Sequence, residues 1–508
     1  MKRKTSLKLF SLFIVLFLLH APVFTQSKSN KMDWGKLKVQ ITEMMEEWAI
    51  PGLGIAIIDD GKVVFSEGFG LRDKKRRLKV TPRTLFPIAS CTKTFTAISA
   101  AVLVDEGKLS WDKPVREYLS APEFYDEYVT NHFTLRDLLA HRTGLPQHYR
   151  MYFNRNLKLK EIMERLRFLE PSRGFRECFQ YANLNYAIAA YLIEQAANLN
   201  WKNFIRKKIF DPLEMINSNC SLDDLRKSGD FALPYHEKDG QVEEIPFFDA
   251  EATGIGAAGS INSNLADMAN WILFQLSKGK FKDRRIVSEA NLVETHRPQI
   301  VMPGSVSDEI FYSSYGLGWG ITSYRNHLML THSGGFNGFS CQVSIMPRDN
   351  VGCVILCNKE STFVPSILTY AVYDRLLSLS EIPWNERMRE RMAKRTKFSS
   401  KTKEEDNCGQ DTKIGHLLEK YCGLFEHQAY GVMTVEIKGT LLQVTHNGLR
   451  SPLIPCSGDF FETTAEVFER FGFSFISDDG ISIDRVAVSF EPSVNPIVFN
   501  RMSKSKNP

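Results

Sequence analysis

Apolar residues run almost unbroken over Gly52-Leu-Gly-Ile-Ala-Ile-Ile58, stop at Asp59-Asp-Gly61 and resume at Lys62-Val-Val-Phe65. A buried-type strand, a turn and a return strand predict a β-hairpin. Past it, Phe86 to Gly107 reads as a mostly apolar helix that opens near Ser90 and stops at Gly107. Helical patterning dominates from Ser90 to about Gly279. Strand character returns between Tyr315 and Asn358, in His327–Thr331, Gln342–Met346 and Val351–Cys357. Strands from both ends of a segment with helices between them predict an α+β layout over residues 31–380. Residues 381–413 turn highly charged, with Glu386-Arg-Met-Arg-Glu-Arg and Lys401-Thr-Lys-Glu-Glu-Asp. The first part suits a helical extension and the second a solvated linker. Over 414–506 the pattern alternates: Met433, Val435 and Ile437 face one way, Thr434 and Glu436 the other, before a Lys438-Gly439 turn. A small all-β barrel or sandwich is expected there. No internal repeat is present.

A length of 508 residues accommodates two to three domains, and 43% hydrophobic with 24% charged residues excludes a disordered chain. The formal charge of +5 is uneven. Lys2, Arg3, Lys4 and Lys8 lie in residues 1–26, which hold no acid, so the remainder carries +1. That balance gives no electrostatic case for nucleic acid. The basic start and the apolar run Leu9–Leu19 suit a secretory signal over 1–26 and are too short for a membrane span. The expectation is an exported protein, periplasmic or extracellular, touching a membrane only if that segment stays uncleaved. Nine cysteines are too few for a disulfide scaffold, and the odd number leaves at least one unpaired within the chain.

Three segments carry the candidate chemistry. Ser90 and Lys93 are three apart at a helix start, so they can be neighbours on one face. Burial and the positive end of the helix dipole disfavour an ammonium there and make the lysine a possible base. Ser-x-x-Lys recurs at Ser110, Ser277, Ser400 and Ser503, but only Ser90 opens a long apolar helix. The second segment is Tyr181-Ala-Asn183. Asn183 is placed to cap the next helix, with Tyr181 just ahead of it; the same Tyr-x-Asn pattern recurs at Tyr152 and Tyr324. In the third, Leu330-Thr-His332-Ser333-Gly334-Gly335, an apolar strand runs into glycines, where backbone can approach a ligand closely.

In order and spacing, Ser90-x-x-Lys93, Tyr181-x-Asn183 and His332-Ser-Gly334 resemble the serine β-lactamase and penicillin-binding-protein superfamily, for which Ser-x-x-Lys is a known signature. The likeness covers about residues 35–380 and is greatest to the class C-like branch with its D,D-carboxypeptidases, D-aminopeptidases and esterases. Leu138-Leu-Ala-His141-Arg-Thr-Gly and Gly256-Ala-Ala-Gly259 to Trp271 are similar to that branch too. The tail, with Tyr421-Cys-Gly423 and Phe499-Asn-Arg501, resembles the small β-barrel often appended to such proteins. The resemblance implies a β-lactamase/transpeptidase-like fold and a cofactor-free, metal-free acyl-enzyme mechanism. It implies Ser90 as nucleophile, Lys93 as its activating partner and Tyr181 as base. Asn183, Ser333 and Gly334 would bind substrate, and His332 would orient the tyrosine or a substrate carboxylate. The backbone N–H groups of Ser90 and Gly335 would form the oxyanion hole. Many β-lactamases have Lys at the position of His332, whereas a histidine is mostly neutral at pH 7. A peptide, ester or amide hydrolase acting on small molecules or D-amino-acid peptides is therefore favoured. A class C-like β-lactamase and a non-hydrolytic penicillin- or peptide-binding protein are the alternatives.

Other residues read as structural. His141 is expected to pin a loop by hydrogen bonds. Cys353 and Cys357 lie on one strand face with Ile355 as core, and Cys91 is expected to pack away from the nucleophile. Gly254-x-Gly256-x-x-Gly259 matches a dinucleotide fingerprint but lacks its preceding strand and later acid. No Gly-x-Ser-x-Gly or His-Glu-x-x-His segment occurs.

Overall fold

A computed structural model describes residues 33–304, 307–401, 408, 413–464 and 470–503, of which 395–401 by backbone alone. The expected signal over 1–26 lies outside the described residues, as does most of the linker's second half.

The hairpin is strands β1 (Gly52–Asp59) and β2 (Lys62–Asp73). With β3 (Leu78–Lys79), β4 (Ile300–Val301), β5 (Ile310–Tyr315), β6 (Gly320–Tyr324), β7 (His327–Phe336), β8 (Phe339–Met346) and β9 (Val351–Cys357) it builds one sheet. The order is β4-β5-β6-β7-β8-β9-β1-β2-β3. The two ends of the domain meet where β1 pairs antiparallel with β9, Leu53 opposite Cys357 and Ile57 opposite Cys353. Both strands are buried almost throughout, which explains why they read as continuous apolar runs. Leu53, Ile55, Ile57, Cys353, Ile355 and Cys357 pack against α1 (Trp34–Glu47) and a helix over Val364–Leu376. Ala56, Ile58, Val354 and Leu356 face the opposite core, with α2 (Thr92–Asp105) and a helix over Leu265–Leu276. The latter helix lies so close that a Cβ on Gly352 would sit 2.6 Å from Ile272.

The segment from Ser90 to Gly279 is mainly helical but holds one hairpin, Tyr235–Lys238 with Gln241–Glu244. Asp239 and Gly240 both adopt positive φ at its turn, the geometry that favours Asp-Gly. A helix over Trp384–Lys401 extends the domain. Eight strands from Gly423 to Arg501 form a closed barrel, sealed where Phe425 pairs with Arg501. Met433 and Val435 point into it, and Ile437 is more exposed toward the Gly439 turn. Cys408 and Cys456 form a disulfide, and the other seven cysteines are free.

Candidate active site

Ser90 sits in a single 3-10 turn, Ala89–Cys91, that runs directly into α2. Ala89 has φ +47°, a left-handed conformation costly for a residue with a Cβ, and it turns the Ser90 side chain to a half-exposed position. One turn on, Lys93 is fully buried. Its Nζ lies 3.1 Å from Ser90 Oγ, 2.9 Å from Asn183 Oδ1 and 2.9 Å from the carbonyl oxygen of Ala258. The Tyr181 hydroxyl donates to Ser90 Oγ at 2.9 Å. Ser90 Oγ thus meets an amine and a phenol at once.

Asn183 does not cap its helix. The N-cap of α3 (Asn183–Ala197) is Ala182, with no side-chain cap bond. The buried Lys93 amine needs acceptors, and the Asn183 carboxamide oxygen is committed to it rather than to a cap. Its Nδ2 donates to Tyr152 Oη at 3.2 Å, and its backbone N–H to Gln147 Oε1 at 3.2 Å. The Gly256-Ala-Ala-Gly259 run is a short helical turn, α4 (Gly256–Gly259), which supplies the Ala258 carbonyl. The Thr96 hydroxyl donates to the neighbouring Ala257 carbonyl at 2.7 Å.

The other wall is the end of β7. Ser333 and Gly335 are exposed while His332 and Gly334 are buried, the alternation of a strand. A Cβ on Gly334 would lie 2.2 Å from the Ile88 carbonyl oxygen, so only glycine lets β7 pass the nucleophile's turn. β7 pairs with β8 through the two-residue turn Asn337-Gly338, with Phe336 opposite Phe339 and Gly335 opposite Ser340. Opposed pairs alternate along such a ladder, so the Gly335 N–H points away from β8. Its other neighbour, β6, has already ended opposite Thr331. That N–H is free to face the cleft, on the segment that abuts the Ser90 turn.

His332 is held differently from the sequence expectation. Nε2 is 2.9 Å from Tyr315 Oη and Nδ1 is 2.7 Å from the Ser333 carbonyl oxygen; its partner is Tyr315, not Tyr181. Burial, reinforced by Lys93, pushes its pKa down to about 3, so it brings no cation to a substrate carboxylate. His141 is likewise held neutral by burial. It accepts the Ala182 N–H at 3.2 Å and its ring lies 4.3 Å from that of Tyr181, which fixes the loop carrying the phenol. Cys91 packs inward, its thiol bonded to the His332 carbonyl. Sequence reasoning did not single out Ala258, Gln147 or Tyr315. Tyr152 was visible only as a repeat of the Tyr-x-Asn pattern.

The electrostatics follow from burial. Desolvation lowers the Lys93 pKa well below that of a free amine, with the Cys91 thiol a small opposing influence. All three of its polar partners are neutral, so no carboxylate restores the ammonium. Burial raises the Tyr181 phenol, against the lowering effect of its Ser90 bond. Burial thus favours the uncharged form of each group, a protonated phenol on Tyr181 and a free amine on Lys93. Phe248 stacks on Phe153 at 5.6 Å and meets Phe336, at the end of β7, at 5.3 Å. A separate cavity of about 630 Å³, lined by residues including Leu157, Tyr191, Trp201 and Glu251, backs onto α4 at Gly256 and Ala257; none of Ser90, Lys93 or Tyr181 lines it.

An antiparallel sheet between helical layers, with an amine and a phenol converging on a serine at a helix start, defines an acyl-transferring serine enzyme. Residues 38–374 match the Beta-lactamase family and residues 410–501 match DUF3471, a domain of unknown function. The chain belongs to the β-lactamase family and is a serine hydrolase of that fold. It is 28% identical over 464 residues to the Unguisins hydrolase ungD' of Aspergillus campestris, covering 86% of this chain and 85% of that protein. Protein flp of Staphylococcus aureus is 28% identical over 334 residues, covering 64% of this chain and 63% of that protein. The octameric penicillin-binding protein homologue from Pyrococcus abyssi superposes with a TM-score of 0.64 at 25% identity, covering 92% of this chain and all of that one. A class C β-lactamase from Rhodobacter sphaeroides superposes with a TM-score of 0.54 at 20% identity over 67% of this chain and 98% of that one, a likeness of fold.

Proposed function

We propose that the enzyme hydrolyses amide or ester bonds of small molecules and peptides, D-amino-acid peptides among them, through an acyl-enzyme on Ser90. The observation that carries this reading is the convergence of Lys93 Nζ and Tyr181 Oη on Ser90 Oγ at 3.1 and 2.9 Å. A neutral Lys93 has one lone pair and two N–H groups. The lone pair accepts the Ser90 proton, and the N–H groups reach Asn183 Oδ1 and the Ala258 carbonyl, so every polar valence is used. Lys93 takes the proton as Ser90 Oγ attacks the carbonyl carbon, and the N–H groups of Ser90 and Gly335 stabilise the oxyanion. Tyr181 is the hydroxyl relay that passes the proton to the leaving group. Water then attacks the ester, the amine–phenol pair removing its proton, and Ser90 leaves.

A neutral His332 favours peptides, esters and amides over β-lactams, which carry a carboxylate to be held. The similarity to a protein named for hydrolysing unguisins supports a hydrolytic reaction. The reading includes export to the periplasm or beyond, supported by the basic and apolar N-terminus and the Cys408–Cys456 disulfide. A membrane would be contacted only through an uncleaved N-terminal segment; among the described residues no helix is long and apolar enough to span one. The enzyme would need neither nucleic acid nor cofactor. The test is turnover of p-nitrophenyl acetate and of a fluorescent penicillin by the wild type and Ser90→Ala, with intact-mass analysis of any adduct. Ester turnover lost in Ser90→Ala is expected. Rapid penicillin turnover would favour a β-lactamase, and absence of any Ser90 adduct would overturn the mechanism.

A further inference from the structure

The barrel meets the catalytic domain at the segment that holds Asn183. His148 is fully buried between the two. Its Nδ1 is 2.8 Å from Tyr430 Oη of the barrel and its Nε2 2.8 Å from the Glu170 carbonyl oxygen. Its backbone N–H donates to Glu491 Oε2, also of the barrel, at 3.0 Å. Burial lowers the His148 pKa, so the neutral ring donates from Nε2 to Glu170 and accepts from Tyr430 at Nδ1. The residue has φ +41° and ψ +41°, a left-handed conformation that a non-glycine residue keeps only when its surroundings enforce it. Here the enforcing contacts include two barrel side chains.

The segment so pinned reaches Lys93 in two steps. Gln147 Oε1 accepts the Asn183 N–H, Tyr152 Oη accepts its Nδ2, and Asn183 Oδ1 meets Lys93 Nζ at 2.9 Å. We propose that the C-terminal barrel is a working part of the catalytic centre, in which Tyr430 and Glu491 act as positioning residues that hold Asn183 against Lys93 through His148 and residues 147–152. This gives a role to the domain of unknown function and rests on the acyl-enzyme reading. Docking by itself needs no such chain, because Arg165 on the catalytic domain already donates to the barrel carbonyls of Gln428 and Ala429 at 3.0 and 2.8 Å.

The test uses the full chain, with p-nitrophenyl acetate as probe, in Tyr430→Phe, Glu491→Ala, Glu491→Gln and Arg165→Ala. The titratable groups packed nearby are Cys91, His141, Tyr181, Tyr186 and His332 around Lys93, and Glu170, His427 and Glu491 around His148. Loss of the Asn183 acceptor removes a contact that favours the ammonium, so the acid limb of kcat/KM moves to lower pH. Tyr430→Phe and Glu491→Ala are expected to lower kcat about five- to tenfold, on the order of one hydrogen bond, with KM within about twofold and the limb shifted. Glu491→Gln keeps an acceptor and restores both. Arg165→Ala lowers the melting midpoint and leaves the limb in place. The proposal is overturned if Tyr430→Phe and Glu491→Ala keep the wild-type kcat and limb, or if Arg165→Ala shifts the limb equally. Failure of the wild type to acylate Ser90 would instead remove the reading beneath it.

Discussion

Replacing Lys93 by methionine tests the protonation state on which the proposed chemistry depends. At pH 7 a free lysine, with a pKa near ~10.4, is neutral in only about one molecule in 2,500. Burial among Asn183, Ala258 and Ser90 with no carboxylate partner lowers the folded pKa and makes the amine available as a base. The unfolded chain keeps its proton up to ~10.4. Between the two pKa values the unfolded state therefore binds one more proton than the folded state, and stability rises with pH by about 1.4 kcal/mol per unit. The methionine variant lacks this slope. It also leaves Asn183 Oδ1 and the Ala258 carbonyl without the Lys93 partner, at a pH-independent cost of about 1–3 kcal/mol each. Urea unfolding at pH 7.5, 8.5 and 9.5 separates the two effects. The difference, wild type minus Lys93→Met, should widen by about 1.4 kcal/mol per pH unit above the folded pKa, while ester hydrolysis falls by about 10²–10⁴. A difference that stays flat across this range would mean that folded Lys93 is an ammonium, and would refute its role as base.

Three further outcomes follow from the site. Tyr181→Phe removes the donor 2.9 Å from Ser90 Oγ but leaves Lys93, so ester turnover should fall by about 10²-fold with Ser90 still labelled in intact-mass analysis. Gly334→Ala would put a methyl 2.2 Å from the Ile88 carbonyl; forcing β7 away from the Ser90 turn should cost about 1–3 kcal/mol in urea unfolding and abolish turnover. His332 has a folded pKa of about 3, below that of a free histidine, so the unfolded chain takes up the extra proton and stability falls as pH drops from ~6.5 toward 3. Between pH 6 and 4 that acid slope should be shallower by about 1.4 kcal/mol per unit in His332→Gln, and an unchanged slope would show His332 to be charged in the folded protein.

Parts of the site were legible because they are local. Ser90 and Lys93 share a helix face, so a three-residue spacing already makes them neighbours. The doubly buried strands β1 and β9 announce themselves as apolar runs, and the barrel by its alternation. What escaped reading was non-local or anonymous. Ala258 contributes a carbonyl oxygen, which every residue possesses, so no side chain marks it. Asn183 looked like a helix cap because sequence shows the helix start and not the amine 2.9 Å from its carboxamide. His332 carries the same uncertainty: a lone histidine on a strand does not disclose that Tyr315 holds one ring nitrogen, or that burial removes its charge.

Which residue types could do the chemistry, and the α+β and all-β character of the two domains, follow from local spacing and periodicity. Protonation states and partners do not. Lys93 becomes a base only once segments about 90 and 165 residues away bury it and offer neutral acceptors. The barrel reaches toward that lysine through His148 and its neighbours, His148 being contacted from residues 282 and 343 positions along the chain. Desolvation and hydrogen bonding depend on the whole packed environment, which exists only after these distant segments have come together.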